Sequence, residues 1–240
     1  MAEQNRIRQS LHDIPPREYM YFPKGTLELG KPGQFSRMEI SHILIAMAVL
    51  TVAFAFPLSS SRLLFGTISA EGLLSALPIS FLALFTAFLV HELSHKFMAQ
   101  RYGLWSEFRM SLSGLVLSIT LAVSTGIVFA APGAVMFRGE IRRFEMGRIA
   151  VAGALANIVI AGIALPLYLF VFADAGFVGR LVGFVCFVNA LLATFNLIPV
   201  GQLDGAKVLS WNEIVWGLLF IVAIVITILI VSRLPSFWLG

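Results

Sequence analysis

The chain has 240 residues, of which 58% are hydrophobic and only 12% charged, with 21 phenylalanines, a net charge of +4 and a mean hydropathy of +0.89. A typical soluble domain is roughly 45–50% apolar and about 25% charged, and a soluble core of this size has too little interior to hide the excess. Composition therefore excludes a soluble globular enzyme and implies an integral membrane protein. The small basic excess belongs to loops flanking membrane spans, and no nucleic-acid partner is expected. The single cysteine, Cys186, excludes an internal disulfide or a cysteine-rich zinc module, and its apolar surroundings imply a packed thiol.

In chain order, residues 1–39 come first and hold 11 of the 30 charged residues, with Pro15, Pro16, Pro23 and Pro32. They read as a polar N-terminal tail without regular structure, and they lack the apolar core of a cleavable signal peptide. Residues 40–240 form the membrane domain. Six uncharged runs follow one another there, at residues 40–61, 72–90, 110–137, 149–173, 181–203 and 214–232. Each suffices to cross about 30 Å of hydrocarbon as a helix of roughly 20 residues, and helices are the default where backbone groups lack water.

The third run differs from the others. From Ser111 to Phe129 it is rich in Ser, Thr, Val and Ile, with Gly126, Pro132 and Gly133 interrupting it. Alternating polar and apolar β-branched residues predict strand over helix. At membrane depth such strands must pair and be shielded, which implies a re-entrant β-hairpin. Charge agrees: six spans divide Lys and Arg 11 to 6 between the two sides, whereas a re-entrant third run divides them 14 to 3, with Arg62, Arg180 and Arg233 opposite the rest. The positive-inside rule prefers the second division. The expected fold is an all-α polytopic transmembrane helix bundle with five spans plus the hairpin, six spans being the alternative.

The second run ends in Val90-His91-Glu92-Leu93-Ser94-His95, an H-E-x-x-H pattern. Residues four apart share a helix face, so His91 and His95 can reach one metal ion, and Glu92 can hydrogen-bond a water bound to it. The motif lies on a helix expected from about Ser75 to Tyr102, inside the apolar run. Ionisable groups at that depth cost several kcal/mol each unless paired, hydrated or metal-bound. A catalytic zinc site usually takes three protein ligands plus water. His12 in the tail and His42 at the start of the first span are possible third ligands. Asp204 is another, closing the fifth run within Asn196-Leu-Ile-Pro-Val-Gly-Gln-Leu-Asp204-Gly205. Pro199 and Gly201 distort the helix ahead of it, which can turn a carboxylate into the bundle.

H-E-x-x-H on one apolar helix, followed on a later one by N-x-x-P-x-x-x-L-D-G, resembles the site-2 protease family of intramembrane zinc metalloproteases, over a catalytic core of about residues 75–210. The resemblance implies that His91, His95 and Asp204 hold one Zn2+ per chain and that Glu92 is the catalytic base. It also implies a membrane-inserted β-hairpin after the motif helix, where residues 105–137 sit. A Gly-x-x-x-Asn element of the family is matched by Gly153 and Asn157, although Ala154 stands where the family commonly has Pro. Asn157 and Asn196 are then candidates for substrate binding or support of the site, with Asn189 a further polar residue inside an apolar run. The phenylalanines at 81, 85, 88, 184, 187 and 195 read as lipid-facing or bundle packing.

The topology is consistent with this chemistry. With the tail in the cytoplasm, the motif helix and the Leu-Asp-Gly helix both run inward, and their metal-binding ends meet at one level. The expected function is hydrolysis of a peptide bond in or near the transmembrane segment of another membrane protein, by a multi-pass protein of the cell membrane surrounded by lipid. The alternative is a zinc-binding membrane protein without proteolysis, such as a transporter or chaperone-like relative. A transporter would need polar residues through both halves of the membrane, and the outer halves of these runs offer almost none.

Overall fold

The computed structural model describes residues 33–59, 69–126, 128, 132–138 and 141–233. Most of the polar tail, including His12, lies outside the described residues. The first helix, α1 (Arg37–Ser59), takes in the last three residues of the expected tail, with the Ser36 hydroxyl accepting the Glu39 N–H at 3.0 Å as an N-cap. Helix α2 (Ala70–Arg101) opens on a Ser69 cap and contains a wide turn, Phe85–Leu89, immediately before the H-E-x-x-H residues. Strand β1 (Trp105–Met110), helix α3 (Leu112–Thr125) and strand β2 (Gly133–Arg138) follow. Helix α4 (Arg143–Phe172) and helix α5 (Gly176–Asn196) then lead to the short α6 (Asp204–Trp211) and to α7 (Glu213–Val231), which Asn212 caps through the Val215 N–H.

The protein is an all-α polytopic membrane protein: among the described residues, α1, α2, α4, α5 and α7 are each long and apolar enough to cross a bilayer. The five-span reading therefore holds. Within the third run, the strand reading of Ser111–Phe129 is replaced by helix α3. At 1.5 Å per residue its 14 residues extend about 21 Å, too little to span the hydrocarbon. The alternation that suggested a strand has another cause. Ser118 bonds back to the Gly114 carbonyl at 2.8 Å, Ser124 to Thr120 at 2.7 Å and Thr125 to Leu121 at 2.8 Å. Hydroxyls satisfied within their own helix need no polar face. Ser111 caps the helix through the Gly114 N–H, and Gly126, at φ 72°, ends it in the left-handed conformation.

The strands lie on either side of α3. β1 and β2 pair antiparallel, Trp105 opposite Arg138 and Phe108 opposite Val135, so the chain returns to the level it left. The expected hairpin exists as this strand pair, joined through a helix instead of a turn.

Two larger apolar clusters hold the bundle, beside a smaller one of Ala99, Leu104 and Ile149. One joins Leu50 and Phe54 of α1, Ile79, Leu84 and Phe88 of α2, Phe108 and Val135 of the strands, and Phe184 and Val188 of α5. The other joins Ala154, Ala161 and Leu165 of α4, Cys186 and Ala190 of α5, and Ala223 and Ile226 of α7. Alanines dominate the second because close backbone approach supplies van der Waals contact where lipid offers no hydrophobic gain. Cys186 is fully buried there with its thiol directed at the Ala161 carbonyl, as expected of a packed thiol. The phenylalanines divide as read: Phe88 and Phe184 are buried, and Phe81 and Phe85 are exposed where lipid would lie.

Candidate metal centre

The α-helical spacing of His91 and His95 stacks their rings edge to face with centroids 4.5 Å apart. The wide turn just upstream holds one residue more per turn than an α-helix and so resets which face the following residues present. Thr86 within it bonds back to the Ala83 carbonyl and accepts the Asn189 side-chain N–H from α5 at 3.0 Å. Asn189 is thus a cross-helix tie to the motif helix.

Asp204 arrives from the opposite direction. The α5 helix ends at Asn196, and the segment through Pro199 and Gly201 (φ 60°) turns the chain so that Asp204 starts α6 buried, not facing lipid. Gly205 makes this possible. A Cβ there would lie 2.1 Å from the Leu197 carbonyl oxygen, so no other residue lets α6 begin so close to the end of α5. The same carbonyl accepts the Trp216 indole N–H from α7 at 2.8 Å. Trp216 went unnoticed in the sequence because an aromatic at the start of an apolar run is ordinary.

The three residues converge. Asp204 Oδ2 lies 3.4 Å from His91 Nε2 and 3.0 Å from His95 Nε2, and the two Nε2 atoms are 2.9 Å apart. Around a tetrahedral zinc with bonds of about 2.0–2.1 Å, ligand atoms stand roughly 3.3 Å from one another. The observed triangle is close to that size, and all three residues are buried. His95 Nδ1 lies 2.7 Å from the Ile149 carbonyl oxygen. That bond requires the proton on Nδ1 and leaves the Nε2 lone pair free, the tautomer that binds metal. His91 Nδ1 has no hydrogen-bond partner among the described residues. The donor set and its spacing therefore suit a divalent ion such as zinc.

Helix α4 backs the imidazoles. A Cβ on Gly153 would come within 2.3 Å of His95 Nε2 and 2.8 Å of His91 Cε1, so the glycine is needed for contact. Ile149, Gly153 and Asn157 lie at i, i+4 and i+8 on one face of α4. Asn157 is fully buried, and neither amide atom has a hydrogen-bond partner among the described residues. Such a group is costly to leave unpaired. Asn196 is placed differently: its amide donates to the Leu192 carbonyl within its own helix at 3.0 Å. His42 does not join the metal triad; its Nδ1 accepts the Met110 N–H at 3.3 Å. Lys207, one turn along α6, donates to Asp204 Oδ1 at 3.0 Å and leaves Oδ2 to the histidines.

Glu92 is partly buried beside the triad, and the backbone N–H of Val135 in β2 donates toward its carboxylate. Strand β2 therefore runs along the edge of the histidine pair. With a metal in place, the arrangement could position a water between the ion and Glu92.

Comparison with known proteins agrees with this chemistry. The chain is 34% identical over 186 residues to a protein of the archaeon Methanocaldococcus jannaschii that carries a provisional zinc metalloprotease name, covering 77% of this chain and 90% of that protein. It is 30% identical over 132 residues to a second zinc metalloprotease of the same organism, covering 55% of this chain and 33% of that protein. No protein-family model and no solved structure matches the chain.

Proposed function

The chain belongs to the zinc metalloprotease family of these archaeal relatives, and on that premise we propose that it is an intramembrane endopeptidase of the site-2 protease type. The observation that carries the proposal is the convergence of His91, His95 and Asp204, whose ligand atoms lie within 4.8 Å of one another, with both histidines on a helix long and apolar enough to cross a membrane and the aspartate at the start of the short helix that follows another such helix. His91 and His95 Nε2 with Asp204 Oδ2 would hold one Zn2+ per chain. When bound, zinc polarises the scissile carbonyl and makes water acidic enough to attack near neutral pH.

The remaining work falls to side chains. Glu92 accepts the proton of the attacking water and delivers it to the departing amide nitrogen. The Val135 N–H steadies that carboxylate between the two transfers. Asn157, with its amide unpaired, supplies a donor and an acceptor to the substrate backbone. Asn196 steadies the end of α5 ahead of the distorted segment. A helical substrate has its carbonyls hydrogen-bonded, so it must unwind before attack, and the outer edge of β2 can take up the unwound segment by strand addition. The substrate is a transmembrane segment of another membrane protein. The protein sits in the cell membrane with the tail and the site on the cytoplasmic side, a reading that the 14-to-3 basic division supports.

Glu92→Gln tests the reading. Reconstituted with a single-span substrate, the variant should retain zinc and lose turnover by at least about two orders of magnitude. Cleavage that survives the substitution would refute Glu92 as the base, and a transport or binding activity that survives it while no cleavage occurs would favour the non-proteolytic reading.

A further inference from the structure

The fully buried Glu39 and Lys96 lie outside the metal triad, yet both are costly at this depth. Lys96 Nζ donates to Glu39 Oε1 at 2.9 Å, Glu39 Oε2 at 2.7 Å and the Ser106 carbonyl at 2.9 Å, filling all three ammonium donors. Glu39 Oε1 also accepts the Phe108 N–H at 3.0 Å, and two residues on, the Met110 N–H goes to His42 Nδ1. The aromatic rings of Phe35 and Trp105 flank the ammonium at 4.4 and 5.5 Å.

These contacts share a direction. Ser106, Phe108 and Met110 point their backbone groups away from β2, since their polar atoms meet α1 and α2 side chains. In an antiparallel ladder the residue opposite such a position also points outward, from the other edge. Phe108 is opposite Val135, Met110 opposite Gly133 and Ser106 opposite Phe137. Gly133, Val135 and Phe137 therefore aim their backbone groups outward from β2, on the side where the Val135 N–H meets Glu92. One edge of the pair is stopped by side chains, and the other faces the catalytic carboxylate.

Building on the proposed proteolysis, we infer that Glu39, His42 and Lys96 are positioning residues that plug the outer edge of β1, so that an unwound substrate segment adds to β2 alone, beside Glu92. The plug also anchors the strand pair to α1 and to the residue after His95, fixing the depth of β2 relative to the metal ligands. An open β1 edge would offer a second template for the same peptide, with its carbonyls away from the metal.

The test uses the zinc-loaded full chain and a single-span substrate carrying single cysteines near its scissile bond. His42→Leu removes one acceptor without stranding a charge, and Glu39→Gln with Lys96→Met removes the ion pair together. The expected result is faster amide exchange at Phe108 and Met110 and unchanged zinc content. Disulfide capture of the substrate at Ala134→Cys should weaken, and KM should rise about tenfold with little change in kcat, the scale of one lost alignment contact. His42→Gln, which retains an acceptor, should restore KM. Unchanged KM and capture despite faster exchange would overturn the inference, as would zinc loss in both variants, which would make the plug a support of the metal helix. If the unmodified protein cleaves no such substrate, the proteolytic reading fails first, whereas cleavage that is lost in Glu92→Gln but unaltered in the plug variants overturns the plug alone.

Discussion

At the residue scale the tightest constraint on the candidate centre is Gly153, which carries no ligand atom. Its missing Cβ is what allows α4 to contact both imidazoles, since a methyl there would overlap His95 Nε2 at 2.3 Å. Gly153→Ala should therefore lower zinc affinity by about tenfold or more, the scale of lost support to a metal ligand, in a competition titration against a chelator. Asp204→Ala should abolish stoichiometric zinc, whereas Asn157→Ala should spare zinc and reduce turnover. Equal zinc in wild type and Asp204→Ala would remove the triad as the binding site. The pairing of His91 with His95 was legible from four-residue spacing, because it is local. The choice of Asp204 over His12 and His42 rested on the resemblance of its motif, and spacing alone could not make it, because it depends on where a distorted loop returns.

At the element scale, the segment between α5 and α6 and the strand pair matter most. The Leu197 carbonyl is held between Gly205 and the Trp216 indole N–H. Trp216→Phe keeps the ring and removes the donor, so it should cost about 1 kcal/mol of stability and weaken zinc binding modestly. A thermal melt with metal titration checks both. Prolines separate the strand edges: Phe137→Pro removes an outward N–H of β2 and should reduce cleavage with zinc retained. Undiminished cleavage would refute substrate addition at that edge. The re-entrant excursion was foreseen from its composition and from the charge division, yet its internal structure was misread. Ser118, Ser124 and Thr125 looked like the polar face of a strand and instead bond to their own helix. Sequence alternation reports polarity, and it does not report where a hydroxyl finds its acceptor.

At the scale of the whole molecule, the proposed orientation rests on five candidate spans and a basic distribution of 14 to 3. With Cys186 replaced by Ala, a single cysteine at Lys207 should react with an impermeant thiol reagent only from the cytoplasmic side, and one at Arg180 only from outside. The reverse pattern would invert the proposed topology. Global stability should also register the buried Glu39–Lys96 pair. Lys96→Met alone leaves an uncompensated carboxylate and should cost about 3–5 kcal/mol, whereas the double replacement with Glu39→Gln should cost much less. Comparison of the two melts measures the coupling directly.

The amino-acid sequence alone determined that the protein lives in a membrane, how many apolar segments it has and which helix carries a two-histidine metal motif. Those properties are sums over composition or relations within one helix turn, and they survive without knowledge of the fold. Only the tertiary structure decided that Asp204 meets the histidines, that Gly153 and Ile149 back them, and that Glu39 reaches across to Lys96 and the edge of β1. Each of these joins residues more than fifty positions apart, where packing, and not spacing, sets the distance.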